Sequence, residues 1–173
     1  MKKYAWCIVC LAIIATALGC NNVKRPDGMP ELEKVSVTIT QEGKPLEKAL
    51  VNFRTAEGGG WPIYGTTDAS GVAKMCTQST DLPGVPAGEY IVTVEKVEET
   101  PSQYANDPPP TNAEDALALD EKMKNEYRPF YDLVNPEFKT AETSTLKVTV
   151  SAKGADPATF EVGAPCREEF QRP

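Results

Sequence analysis

Apolar and polar residues alternate strictly in several stretches of the chain. Val35, Val37 and Ile39 alternate with Ser36, Thr38 and Thr40, the period of a strand buried on one face. Ala49, Val51 and Phe53 repeat the pattern, with Asn52 and Arg54 turned outward. The clearest strand runs from Tyr90 through Ile91, Val92, Thr93 and Val94 to Val97. Thr145 to Ser151 and Thr159 to Val162 complete the series. One stretch changes period: Ala116, Leu119, Met123 and Tyr127 recur at helical spacing. Thr111 stands ahead of it as a cap with Glu114 three residues on, a capping box, and Arg128-Pro129 stops it.

Turn formers separate these runs. Glu42-Gly43-Lys44-Pro45 and Gly58-Gly59-Gly60 flank the second strand, and Leu82 to Gly88 is a series of turns. In Thr67-Asp68-Ala69-Ser70-Gly71, Asp68 is placed to accept backbone hydrogen bonds as an Asx turn, and Gly71 supplies the positive φ such a turn needs. Neither is read as a binding or catalytic group, so Asp68→Ala is expected to lower stability without abolishing a function. Asp107-Pro108-Pro109-Pro110 cannot be strand interior. The expected fold is therefore all-β: an antiparallel β-sandwich over residues 33–162, carrying one helical insertion at about 98–141. Residues 20–32 form a tether and 163–173 a loose C-terminal tail.

Three of these turns share a family pattern. Gly43-Lys44-Pro45-Leu46 with Ala49 and Val51, then Thr67 to Gly71, then Pro86-Ala87-Gly88-Glu89-Tyr90 with Val92 and Val94 resemble the transthyretin-like, carboxypeptidase-regulatory-like superfamily of Ig-like β-sandwiches. Small bacterial lipoproteins with this domain often add a Pro-x-Tyr and a Thr-Ser-x-Leu segment before a valine-rich strand. Asn135-Pro136-Glu137-Phe138 and Thr143 to Val150 are similar, with Phe138 in place of the tyrosine. Asp156 departs from the family's Gly-x-Asn turn. The resemblance implies a binding or scaffolding domain. One branch of the superfamily hydrolyses hydroxyisourate through histidines and a C-terminal Tyr-Arg-Gly-Ser motif; this chain has neither, so that activity is not implied.

The N-terminus adds an address. Met1-Lys2-Lys3 is basic, Tyr4 to Leu18 is an apolar segment of signal-peptide length, and Ala17-Leu18-Gly19-Cys20 closes it. This resembles a bacterial lipoprotein signal over residues 1–19. It implies cleavage before Cys20, a diacylglycerol on its thiol, and attachment to a membrane at the periplasmic or surface face. Asn21, rather than Asp, after the cysteine points to the outer membrane by the enterobacterial sorting pattern. The apolar run is shorter than the ~20 residues a transmembrane helix needs.

Composition then narrows the chemistry. Losing Lys2 and Lys3 with the leader takes the formal charge from −7 to −9, and an acidic chain without a basic cluster argues against nucleic acid, whose binding rests on neutralised phosphates. The sequence contains no histidine. Ser-His-Asp and Cys-His catalysis and imidazole-ligated zinc are thereby excluded. No cofactor, metal site or catalytic residue is assigned. Of five cysteines, Cys7 and Cys10 leave with the leader and Cys20 takes lipid. Cys76 and Cys166 remain as a disulfide candidate in an oxidising compartment. The acidic pairs, such as Glu114-Asp115 and Asp120-Glu121, read as solvated charge. Trp61, Tyr64, Tyr104, Tyr127 and Tyr131 are a candidate binding surface for a glycan or peptide, or else the residues that pack the insertion onto the sheet. The expectation is a non-enzymatic, membrane-anchored envelope module that binds or scaffolds an envelope protein. The alternatives are a carbohydrate- or peptidoglycan-binding module using those aromatics, and a histidine-free envelope hydrolase.

Overall fold

A computed structural model describes residues 25–79 and 82–170. The expected signal peptide, the expected lipidation residue Cys20 and the start of the expected tether lie outside the described residues. In chain order the strands are β1 (Leu32–Glu33), β2 (Ser36–Gln41), β3 (Lys44–Pro45), β4 (Leu50–Arg54), β5 (Ile63–Thr66), β6 (Val72–Lys74), β7 (Cys76–Thr77), β8 (Val85–Pro86), β9 (Gly88–Glu95) and β10 (Val97–Glu99). Helix α1 (Ala113–Lys124) follows, then β11 (Phe130–Asp132), a 3-10 turn (Pro136–Phe138), β12 (Lys147–Ser151), β13 (Gly154–Asp156), β14 (Thr159–Glu161) and β15 (Glu168–Phe170). The protein is predominantly β with one α-helix among the described residues, as the alternation implies.

Two larger sheets supply the core. One has the order β13-β12-β9-β4-β5-β7, with every neighbouring pair antiparallel. The other is built around β2, which pairs with β6 and β3 on successive stretches and with β14. The alternating residues of both sheets meet in one cluster. Val37, Ile39, Ala73 and Phe160 come from the smaller sheet; Val51, Phe53, Ile63, Tyr90, Val92, Val94, Val148 and Val150 come from the larger. Each fully buried Val, Ile or Phe contributes roughly 1.5–3 kcal/mol relative to exposure. Tyr90 stacks on Phe53 with ring centroids 5.8 Å apart, and its hydroxyl donates to the Pro86 carbonyl at 2.8 Å.

The pairing is not wholly antiparallel as expected: β14 runs parallel to β2. The antiparallel partners β6 and β3 follow each other along β2, and the chain arrives from β13 to run beside it in the same direction. Glu161 then locks the junction. Its carboxylate accepts from Thr40 Oγ1 at 2.8 Å, from the backbone N–H of Glu42 at 2.8 Å, and from those of Gly43 and Gly163 at 3.1 Å each.

The Asp68 turn has the expected chemistry. Asp68 Oδ1 accepts from the N–H of Ser70 at 2.9 Å, from its hydroxyl at 2.6 Å, and from the N–H of Val72 at 3.0 Å. Gly71 has φ +76°, and a Cβ there would stand 2.6 Å from the Ile39 carbonyl oxygen. That carbonyl accepts from Leu46 N, while Ile39 N donates to the Gly71 carbonyl. The turn thus plugs the β2–β3 corner.

Two boundaries differ from expectation. The 98–141 insertion is not helix alone, because β10 and β11 pair within it. Within the expected C-terminal tail, residues 168–170 form β15, which adds to β11 as the third strand of a satellite sheet, β10-β11-β15. Ring and cation contacts described below hold it there. Its order does not come from a disulfide, since Cys76 and Cys166 are not bridged to each other. Cys166 Sγ instead lies 3.6 Å and 3.5 Å from the carbonyls of Asp132 and Val134, at the satellite sheet. Cys76 is on β7 of the six-stranded sheet, beside the Lys74 carbonyl.

Candidate functional site

The satellite sheet presents two chemically different faces, because neighbouring residues of a strand point oppositely. On one face Phe130 pairs with Phe170, ring centroids 5.8 Å apart. Lys139 Nζ lies 5.4 Å from the Phe170 centroid and also pairs with the buried Asp132. On the other face the register sets Glu98, Tyr131 and Glu169 in a row. Arg167 covers the Tyr131 ring, its Cζ 3.8 Å from the centroid, and its Nη2 donates to Glu98 at 3.4 Å. The Tyr127 hydroxyl donates to Glu169.

Helix α1 begins one residue later than the capping box implies. Asn112 is the cap, its side chain accepting from Asp115 N at 2.9 Å, and Thr111 Oγ1 donates to the Asp115 carboxylate at 3.2 Å. The helix ends at Lys124, before Arg128-Pro129, with Asn125 as its C-cap. None of its residues is buried; Leu117 is 71 % exposed and Tyr127 beyond it 63 %. The apolar spacing therefore does not pack α1 onto a sheet. Its stability rests on the cap, on Glu114 and Asp115 in the first turn, on Lys122 and Lys124 in the last, and on the Lys124–Asp120 pair at 2.6 Å. Past the helix, Glu126 accepts from Ser102 Oγ at 2.6 Å and Gln103 N at 2.7 Å. The Ser102 bond leads in holding its carboxyl below the usual range, against some desolvation.

The five candidate aromatics do not form one surface. Trp61 is half-buried after the glycine loop. Tyr64 is half-buried on β5, opposite Asn52 and Cys76, and borders a concavity of about 360 Å³ with Asp68, Lys74 and Cys76. Tyr104 is half-buried in the turn clasped by Glu126, at the Ser102–Tyr104 backbone. Tyr127 and Tyr131 meet at the satellite sheet through Glu169, with one face of Tyr131 already occupied by Arg167. Burial pushes the Cys76 thiol up, away from the thiolate form.

A second concavity, about 390 Å³, opens between the β4–β5 loop and the segment after the 3-10 turn. Arg54, Thr55, Gly58 and Gly59 line one side; Lys139, Thr140 and Glu142 line the other, near Thr93. The 139–144 segment is drawn over the outer face of β9 by Ser144, whose hydroxyl donates to the Val92 carbonyl at 2.5 Å. A third hollow, about 450 Å³, lies beneath the end of α1 against Met123, Arg128 and Phe130.

Sequence reasoning missed Glu126, Glu161, Arg167 and the Arg54 concavity. Each acts across long sequence separation, and no local motif marks it. Ser144 was visible as part of the Thr-Ser-x-Leu segment, and its bond to Val92 gives that segment a physical role. Among the described residues no cluster of His, Cys, Asp or Glu could hold a metal ion, and no helix is long and apolar enough to cross a membrane. No family model, curated protein or solved structure matches the chain.

Proposed function

We propose that the chain is an exported lipoprotein whose β-sandwich, of transthyretin-like Ig-like type, is a non-enzymatic binding or scaffolding module anchored in a bacterial envelope. The observation that carries it is Ala17-Leu18-Gly19-Cys20 at the end of a basic-then-apolar leader. A short polar segment leads from there directly to β1. A diacylglycerol at Cys20 would supply the two acyl chains that stable anchoring needs. The two sheets around one core, closed by the Asp68 turn and by β14 on β2, support the sandwich assignment.

The carboxylates favour a scaffold. Asp68 serves its turn, Glu126 a loop clasp and Glu161 a strand junction. The loops around the larger sheet then offer the surface for a partner. The aromatic glycan platform has less support, since Tyr131 is covered on one face and the other four aromatics are distributed over separate elements.

Membrane fractionation tests the anchor. Wild-type protein is expected in the membrane fraction, released by detergent but not by salt, while Cys20→Ser is expected in the soluble exported fraction. Unchanged fractionation of Cys20→Ser would overturn the proposal.

A further inference from the structure

We propose that the concavity between the β4–β5 loop and residues 139–142 is an oxyanion-binding site, with Arg54 as the residue that recognises a carboxylate or phosphate group of a small ligand. The proposal rests on the binding-module reading and deepens it by naming a ligand chemistry.

The donors and acceptors of the site are unequal. Two acceptors of the lining are engaged within the protein: the Gly59 carbonyl accepts from Thr55 Oγ1 at 3.3 Å and the Thr140 carbonyl from Ser144 N at 2.9 Å, while Glu142, its carboxyl held below the usual range, is the one anion of the lining. The strongest donor has no such partner. Arg54 is exposed at the end of β4, lines the concavity, and meets no acceptor among the described residues. The Gly59 N–H is likewise without one. Lys139 adds a second cation at the rim, partly neutralised by Asp132. With Arg54, Lys139 and the Gly59 N–H set against the single carboxylate of Glu142, the lining favours a ligand that accepts. A planar guanidinium with five N–H groups matches the two oxygens of a carboxylate or phosphate in a way a hydroxyl does not.

The position is built rather than incidental. Arg54 projects from the six-stranded sheet, where its register partner is Ile91 on the central strand β9. Gly58, Gly59 and Gly60 all have positive φ, of 71°, 77° and 81°, and a Cβ on Gly58 or Gly59 would meet nothing within 4 Å. The loop backbone is therefore open where a ligand would approach. The opposite wall is fixed to β9 by Ser144. A volume of about 390 Å³ accommodates a monosaccharide-sized molecule.

Two sources carry this chemistry in an envelope: a sugar acid, and a phosphate ester such as a polyol phosphate. Isothermal titration of the full-length, detergent-solubilised protein with D-glucuronate, glycerol phosphate and neutral glucose separates them. Saturable binding of one or both acids is expected, at least tenfold tighter than glucose, and at least tenfold weakened in Arg54→Gln. Binding of glucuronate alone assigns a sugar acid, and of glycerol phosphate alone a phosphate ester. Equal binding of glucose, no binding of either acid, or unchanged affinity in Arg54→Gln would each overturn the proposal. Arg54 is exposed, so Arg54→Gln is expected to fold; Lys139→Gln provides a second variant, expected to weaken binding less. None of these outcomes alters the fractionation of Cys20→Ser, so failure of the site and failure of the anchor are distinct.

Discussion

Replacing Gly71 with alanine tests whether the Asp68 turn is fastened to the β2–β3 corner. Two effects combine. Holding an L-residue near φ +76° costs about 1 kcal/mol or somewhat more. The new Cβ would also lie 2.6 Å from the Ile39 carbonyl oxygen, with Pro45 Cα at 3.1 Å. Because those neighbours are backbone, the corner must shift. The shift strains the 3.0 Å bond from Leu46 N to Ile39 O and the 2.8 Å bond from Ile39 N to Gly71 O. At about 0.5–1.5 kcal/mol net for each, the expected loss is about 2–4 kcal/mol. Gly43→Ala is the matched control. Gly43 has φ +72° and open space around a built Cβ, so it retains only the conformational cost of about 1 kcal/mol. Urea unfolding followed by circular dichroism should show both midpoints lowered at constant slope, with Gly71→Ala lower than Gly43→Ala by the equivalent of about 1–3 kcal/mol. Equal midpoints would mean that the turn does not press on the corner, and the plug described for it would be wrong.

Two further outcomes follow from other residues. Desolvation is the largest single influence and raises the Glu161 carboxyl, but Thr40 and the backbone N–H groups of Gly43, Glu42 and Gly163 together outweigh it and hold the group below its ordinary 4.5. Its contribution is therefore complete above about pH 4.5 and lost as pH falls through the lower folded value. Glu161→Gln should be less stable at neutral pH and show a shallower loss on acidification; parallel pH profiles would remove the junction role. Phe170→Ala deletes the ring pair with Phe130, worth about 0.5–1.5 kcal/mol beyond its buried area, together with the Lys139 contact. Amide exchange should accelerate in Val97–Glu99 and Phe130–Asp132 while Val51 and Val92 keep their protection. Uniform acceleration across both groups would show that the satellite sheet does not open separately.

The alternation in Val35 to Ile39, Val51 to Phe53 and Tyr90 to Val94 revealed the core strands because burial on one face imposes a period of two. Asp68 and Gly71 were legible for a related reason: the turn's requirements are met within five residues. The satellite sheet carried no comparable signal. Its strands Val97-Glu98-Glu99, Phe130-Tyr131-Asp132 and Glu168-Glu169-Phe170 are three residues each and half charged or more in two of the three. What orders them is contact at a distance, Arg167 on Tyr131 and Phe170 on Phe130. Helix α1 failed in the opposite direction. Its apolar spacing was present, but an exposed helix can carry such spacing without using it when caps and charges suffice.

The same contrast explains why the proposed oxyanion site was hidden while the aromatic residues stood out. Tyrosine and tryptophan are conspicuous in a sequence, yet Tyr131 gives one face to Arg167 and Tyr127 its hydroxyl to Glu169, so part of their interaction capacity stays inside the fold. Arg54 occupies the position where an outward polar residue is expected, and nothing local distinguishes it from a solvated one. Its significance depends on the 139–142 segment crossing β9, which Ser144 brings about from far along the chain. A guanidinium that finds no acceptor among the described residues, beside a glycine loop, is a statement about what the fold leaves unmatched. Composition records only which groups are present; an unmatched donor becomes visible once the fold has set the groups around it.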